Sequence, residues 1–306
     1  MKLIYSITDF DIPDESTYVD DTFRRERQIE LNILKYINKT QNVQLYGFIE
    51  DRPNLFDYFI LRTTIENYDI CQYKNLSTCL NNIVQIENVE SWCSYDLREI
   101  TKRPILETTI GGLLYNPELN NIFSNDKDQM FVKTKKKNFS FCAPIKEVIQ
   151  DLKTYALANS FNTKIFISKP IDINIEYRCF LVNGKVSSIS TYEDYKIHEI
   201  PNDVIKFADQ CAKLLSKYYN KVVFDIGCSD SIGLFLVECN DIGLSGRYIN
   251  NDFCQLVYDL TGITCDKTYF EFVEEYDKEN PPSTKNINNK TKQLLKTFPS
   301  IFKNYK

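Results

Sequence analysis

Asp225, Glu238 and Asn240 are the side chains whose types and spacing could do chemistry. They lie in the stretch Lys221 to Tyr248, KVVFDIGCSDSIGLFLVECNDIGLSGRY. Val222 to Cys228 and Leu234 to Asn240 are rich in β-branched, aromatic and leucine residues and read as strands. Ser229 to Gly233 between them carries turn chemistry. Counting outward from Asp230 and Gly233 places Asp225 opposite Glu238, and strand alternation turns Glu238 and Asn240 to the same face. Two carboxylates across a ladder repel one another, and a bound divalent cation removes the repulsion. Three oxygens without histidine or thiolate suit a hard ion such as Mg²⁺, which takes one or two carboxylates and completes its shell with substrate phosphates. The same alternation also suits a half-exposed hairpin with its polar face in water.

The whole chain bounds the possibilities. At 306 residues, 43% of them hydrophobic, it can build two or three lobes with buried cores. A net charge of −5 supplies no basic field for nucleic acid. Ten cysteines are scattered without a C-x-x-C pair and there is one histidine, so a zinc cluster is not expected. Free thiols in a reducing, cytoplasmic setting are. No apolar run approaches membrane-spanning length, and MKLIYSITDFDIPDE lacks a long apolar core, so neither a membrane partner nor a leader is expected.

The elements that must position these groups alternate in type. Lys2 to Ile7, Val43 to Ile49 and Tyr58 to Thr64 read as strands, and Leu80 to Trp92 as a helix. Asp20 to Asn38 is predicted helical, with Phe23, Ile29, Ile33, Leu34 and Ile37 on one side. Arg24, Arg25, Arg27 and Glu30 take the other side, and this mixed charge is expected to be a solvated face. Tyr115 to Asp128 is turn-rich and reads as a linker.

Met130 to Lys133 is a short strand that delivers Lys133 into the basic, glycine-free segment Thr134 to Ser140, which includes Lys137. A lysine ending a strand before a basic loop suits phosphates, and equally suits a solvated loop; without glycine it is not a Walker A motif. Ile145 to Ala158 is helical, and Lys164 to Ser168 is a strand closed by Lys169-Pro170, marking an edge or crossover. Glu176 to Val182 and Lys185 to Ile189 flank the hairpin signal Asn183-Gly184. Glu176 and Arg178 share one face, either as a mutual salt bridge or as part of a site. Ser190 to Pro201 reads as a loop and Asn202 to Tyr219 as an amphipathic helix. Leu256 to Leu260 and Thr268 to Tyr276 follow, then a Pro/Asn/Lys-rich linker over Asp277 to Lys292 and a short helix over Gln293 to Tyr305.

This order of parts resembles the ATP-grasp superfamily. The resemblance is carried by FVK at 131–133, FISKP at 166–170, EYRCFLVNGK at 176–185, VVFDIG at 222–227 and VECND at 237–241, over about residues 110–255. It is most similar to the R2K clade and related to the Cdc123 family. The resemblance implies an α+β ATP-grasp fold, two α/β lobes sandwiching a nucleotide, preceded by a small N-terminal α/β lobe over residues 1–120. The core would occupy 121–265, with an ATP-binding lobe at 125–170 and a metal-binding lobe at 171–265; residues 266–306 would be a partly mobile extension.

On the same resemblance, Asp225, Glu238 and Asn240 would hold Mg²⁺ bridging the ATP phosphates. Lys133 would reach the phosphates, with Lys137 as a helper, and Phe166, Ile167 and Ser168 would form the adenine hinge. Glu176 would sit at the ribose or near the phosphates, and Arg178 at the γ-phosphate. Ser190, Tyr192 and Gly243 to Tyr248 would line the acceptor side. The implied activity is ATP-dependent carboxylate–amine ligation through an acyl phosphate, the amine acceptor and the carboxylate-bearing substrate being a small molecule or a peptide. The alternative it implies is a Cdc123-like module that binds ATP and captures a protein client without turnover.

Overall fold

The computed structural model describes residues 2–5, 21–41, 43–46, 58–62, 95–116, 129–134, 140–192, 199–240, 242–243, 245–248 and 251–280. The expected helix at Leu80 to Trp92, Lys137 and the expected helix at Gln293 to Tyr305 lie outside the described residues. None of the helices among the described residues is long and apolar enough to cross a membrane.

Three sheets form. A parallel sheet of order β2-β1-β3 joins β1 (Lys2–Tyr5), β2 (Gln44–Tyr46) and β3 (Tyr58–Arg62). An antiparallel sheet of order β4-β7-β5-β6 joins β4 (Leu106–Thr109), β5 (Gln129–Thr134), β6 (Ser140–Pro144) and β7 (Lys164–Ser168). A second antiparallel sheet, of order β11-β10-β8-β9, joins β8 (Ile175–Val182), β9 (Lys185–Thr191), β10 (Lys221–Ser229) and β11 (Gly233–Asn240). Seven helices are found among the described residues: α1 (Asp21–Thr40), α2 (Tyr95–Thr101), α3 (Ile110–Tyr115), α4 (Ile145–Ala158), α5 (Asn202–Leu215), α6 (Phe253–Thr261) and α7 (Tyr269–Glu279).

In the β4–β7 sheet, Met130, Val132, Ile165 and Ile167 point into a core closed by α3 and α4. Alternation therefore sends Phe131, Lys133, Phe166 and Ser168 to the opposite face. β7 is an interior strand, paired on both sides, so the Lys169-Pro170 segment marks the crossover into β8 of the other sheet rather than an edge. Because β4 pairs with β7, the sheet that carries Lys133 begins upstream of the linker predicted from Tyr115 onward.

The β8–β11 sheet is buried on both faces, which is why its strands read as nearly continuous apolar runs. One face, with Cys179, Leu181, Phe224 and Cys239, packs on α2 and α5. The other face is divided. Phe180, Val182 and Val223 lie under α1, α6 and α7, while Arg178, Asp225, Glu238 and Asn240 converge on one another along the same surface. Asn183 and Gly184, at φ 51° and 80°, make the predicted tight turn between β8 and β9.

The charged strip on α1 departs from expectation. Glu26, Arg27 and Glu30 are 2–3% exposed, not solvated. The reason is α7, which packs alongside α1. Tyr269 donates from its hydroxyl to Glu26 at 2.6 Å, Arg25 bonds both Glu26 and Asp277, and Arg27 pairs with Glu30 at 2.6 Å. Sequence periodicity cannot show that a polar face is covered when its cover arrives some 240 residues later in the chain.

Burial drives the Glu26 carboxyl up to about 7, and the bonds from Tyr269 and Arg25 only partly oppose this. The folded state thus holds a proton that the unfolded chain releases near its ordinary 4.5. Stability associated with Glu26 is fully present below about pH 4.5 and is lost as pH rises to about 7. Denaturation of wild type and Glu26→Gln at several pH values should show the variant gaining relative to wild type across that window and levelling off above it. Parallel profiles would contradict the buried-acid assignment.

Candidate active site

The hairpin β10–β11 brings its two carboxylates face to face: Asp225 and Glu238 are register partners. The route differs from the simple count. Ser229 pairs with Gly233, leaving Asp230, Ser231 and Ile232 in the turn, and Cys228 pairs with Leu234. Carried onward, that register would put Asp225 opposite Val237. Instead, the ladder shifts between Asp225 and Ile226, with Ile226 opposite Leu236, so Val237 is the extra residue of a β-bulge. The bulge re-aims Glu238 onto Asp225, the kind of adjustment bulges make beside active sites. Gly227 lies under the bulge, where a Cβ would come within 2.8–2.9 Å of the Phe235 ring and the Val237 side chain.

Asp225 and Glu238 on this surface each face a cation and N–H or O–H donors. Arg178 grips Asp225 through Nε and Nη2, both at 2.8 Å. Asn240 Nδ2 donates to Asp225 at 3.0 Å and to Glu238 at 2.8 Å. Tyr192 donates to Asp225 at 3.4 Å. From the other sheet, Lys133 Nζ meets Glu238 Oε2 at 2.5 Å. Asp225 is 0% exposed and Arg178 7%, so this is a fully desolvated pair, not a surface bridge.

The electrostatics follow from that burial. Burial disfavours the Arg178 guanidinium, but the Asp225 bonds more than restore it, and its pKa is raised. Burial and then Asp225 hold the Tyr192 phenol well above its ordinary range. Glu176 is pushed up to about 7, first by burial and then by Asp225 and Glu238; nearby Arg178 only partly offsets them. Glu176 and Arg178 share a face as predicted, but the carboxylate that the arginine hydrogen-bonds is Asp225.

A short loop completes the wall. Gly246 accepts from Arg178 Nη1 at 3.1 Å, and the rings of Tyr192 and Tyr248, 4.0 Å apart, both flank the guanidinium at about 5 Å. Arg247 between them turns the other way, is 0% exposed, and lies near Glu30 of α1 and over the Phe253 ring. Ser190, expected to line the acceptor side, is fully buried and donates to the Arg178 carbonyl at 3.4 Å.

Phe166 is the register partner of Lys133 and shares its face. Ile167 is 1% exposed with its side chain in the β4–β7 core, and its backbone is paired with Leu106 on one side and Val132 on the other, so it does not serve as the expected adenine hinge. Ser168, 7% exposed, ends the strand at the crossover. Arg103 was not anticipated. It lies between α2 and β4, donates from Nη2 to the Val237 carbonyl at 2.8 Å and stacks 5.2 Å from the Phe235 ring centroid. Lys102-Arg103-Pro104 carries no strand, hairpin or capping pattern that would single it out.

The donor set fits Mg²⁺. Asn240 already occupies the point between two carboxylates with an N–H donor, and a half-turn of that amide presents its oxygen there instead. Among the described residues no group of three His, Cys, Asp or Glu side chains could hold a metal. Two carboxylates and one amide suit an ion that shares its shell with phosphates.

Two antiparallel sheets meeting at Lys133 and Glu238, with helices on their outer faces, make this an α+β protein of ATP-grasp fold. The chain belongs to the ATP-grasp superfamily, R2K clade family 2, whose domain matches residues 101–253. Among solved structures it is similar to a D-alanine–D-alanine ligase from Bacillus anthracis complexed with ATP, at 15% identity over 91% of this chain and 96% of that one, with a TM-score of 0.49. It is similar to the ATP-grasp ligase PsnB complexed with a minimal precursor, at 13% identity over 86% of this chain and 99% of that one, TM-score 0.49. A third is the macrocyclase MdnC bound to precursor peptide MdnA from Microcystis aeruginosa, at 10% identity over 78% and 90%, TM-score 0.43. No curated protein matches the sequence.

Removing Arg178 strands a buried carboxylate. Arg178→Met should destabilise the fold by roughly 3–5 kcal/mol in urea denaturation. Arg178→Met/Asp225→Asn should recover part of that loss. Equal stability of wild type and the single variant would show that the pair is not desolvated.

Proposed function

We propose that the chain is an ATP-grasp ligase that couples cleavage of ATP to ADP with carboxylate–amine bond formation. The observation that carries this reading is the contact between Lys133 of one sheet and Glu238 of the other. It sets a cation from the upper sheet directly over the acidic face of the lower one, where a nucleotide's phosphates and their metal would lie. Asp225, Glu238 and Asn240 are the residues that would hold Mg²⁺, and the ion, when bound, supplies neutralisation of phosphoryl oxygens. Lys133 would leave Glu238 for a phosphate oxygen as that neutralisation takes its place. Of the expected hinge Phe166 to Ser168, the end of β7 at Ser168 would receive the base, because the Phe166 and Ile167 backbones are paired with β4 and β5 on either side. Glu176 would face the ribose or the phosphates.

The chemistry needs no covalent nucleophile from the protein. A substrate carboxylate oxygen bonds to the γ-phosphorus while the bond from that phosphorus to the β–γ bridging oxygen breaks and ADP leaves. An amine nitrogen then bonds to the acyl carbon, phosphate departs, and the nitrogen loses a proton. Both steps pass through states with extra negative charge on oxygen, which preorganised cations stabilise in a dry site. Arg178 is locked in place by Asp225, Gly246 and two tyrosine rings, so it costs no reorganisation at that moment. The tyrosine pair and the Gly246 to Tyr248 loop would face the acceptor, a small molecule or the end of a peptide.

Glu238→Ala should leave the fold intact and abolish the Mg²⁺-dependent rise in melting temperature that ATP gives the wild type. Unchanged nucleotide affinity in the folded variant would sink the metal assignment. For the ligase step itself, wild type supplied with candidate carboxylates should release ADP and phosphate in proportion to added amine. ATP binding with no amine-dependent release across such a screen would contradict turnover.

A further inference from the structure

Three cations lie on or over the cleft face, and two of them have a hydrogen-bonded carboxylate: Arg178 holds Asp225 and Lys133 holds Glu238. The third, Arg103, does not. Among the described residues its one hydrogen bond goes to the Val237 carbonyl, the group that the bulge takes out of the regular ladder. Its Nε is buried without a hydrogen-bond partner. Below it are Phe235 and the space that Gly227 leaves open for that ring, on the face that also carries Glu238.

The backbone aims it there. Lys102 has a left-handed φ of 49° and closes α2 with a bond from its N–H to the Arg98 carbonyl at 3.0 Å. The chain thus turns sharply at the end of α2 and sends the next side chain over β11. Burial lowers the Arg103 pKa to about 10, and the field of Glu238, pulling the other way, does not restore it. A guanidinium so placed is short of an anion. Its planar fork matches phosphate oxygens better than an ammonium would.

We propose that Arg103 is a phosphate-binding residue of the nucleotide cleft, contacting the polyphosphate of ATP beside Glu238, while its Nη2 keeps the bulge carbonyl. The proposal rests on the reading of this cleft as the nucleotide site. It assigns a third cation, from the segment between α2 and β4, to the same ligand that Lys133 and Arg178 serve from two other strands. The competing role is purely structural: Arg103 clamps the bulge and packs on Phe235. The two roles differ in what they do to the phosphates against the nucleoside.

The test is the affinity of full-length wild type, Arg103→Met and Arg103→Lys for ATP·Mg²⁺ and for adenosine, from melting-temperature titrations. Methionine keeps the stem and its packing, and removes the charge. Loss of a charge-assisted hydrogen bond should weaken ATP·Mg²⁺ by about tenfold to a hundredfold in Arg103→Met. Adenosine should be unaffected, and Arg103→Lys should fall between for ATP. If Arg103→Met does not fold, Arg103→Lys carries the same comparison. Wild-type ATP affinity in a folded variant would overturn the proposal, as would equal losses for ATP and adenosine, which would mark a structural clamp. Failure of the wild type itself to bind ATP would instead remove the nucleotide reading, and the proposal with it.

Discussion

Asp225 and Glu238 face each other across β10 and β11, Asp225 in full burial. Water does not reach Asp225 and reaches Glu238, 25% exposed, only in part, so the fold must bring positive charge to them or lose stability. Most of the surrounding architecture answers that need. Arg178 comes from β8, Asn240 from two residues along β11, Tyr192 from just past β9 and Lys133 from a different sheet. The same demand makes the face useful, because a site held together by cations and N–H donors is one that a divalent ion and phosphates can enter by exchange.

The proposed exchange would run between the two sheets. Lys133 and Phe166 are neighbours on the β4–β7 sheet and look toward the β8–β11 sheet. The polypeptide passes from one sheet to the other at the crossover after Ser168, so the segment that would receive the base is also the join between the layers. Behind the acidic face, α1, α6 and α7 cover the apolar half of the same surface. Arg247 reaches from the Gly246 to Tyr248 loop into that cover, and α1 thereby helps to set the wall beside Arg178.

Much of this was legible in the sequence, for reasons that differ element by element. The strands Lys164 to Ser168 and Glu176 to Val182, the helix Ile145 to Ala158 and the Asn183-Gly184 turn are local signals, and the structure reproduces them nearly residue for residue. The opposition of Asp225 and Glu238 was anticipated from turn counting, yet the count took Asp230 and Gly233 as partners. The turn is one residue longer, and the bulge at Val237 restores the pairing. Bulges have no strong sequence signature, so agreement here came through two compensating offsets. The charged face of α1 and the place of Arg103 were not legible at all. Each depends on a distant element, α7 in one case and β11 in the other. Strand alternation alone puts Cys179 and Cys239 on the face opposite Arg178, Glu238 and Asn240, and both are buried there.

The measurement closest to the central claim is the electron paramagnetic resonance of Mn²⁺ used in place of Mg²⁺, titrated into wild-type protein with and without ATP. Glu238 is already matched by Lys133, so the metal alone should bind weakly. With ATP present, one or two Mn²⁺ should be taken up, showing hyperfine coupling to the phosphorus nuclei of the nucleotide. Uptake that is unaffected by ATP, or bound Mn²⁺ without phosphorus coupling, would contradict the account of this face as the place where carboxylates, metal and phosphates meet.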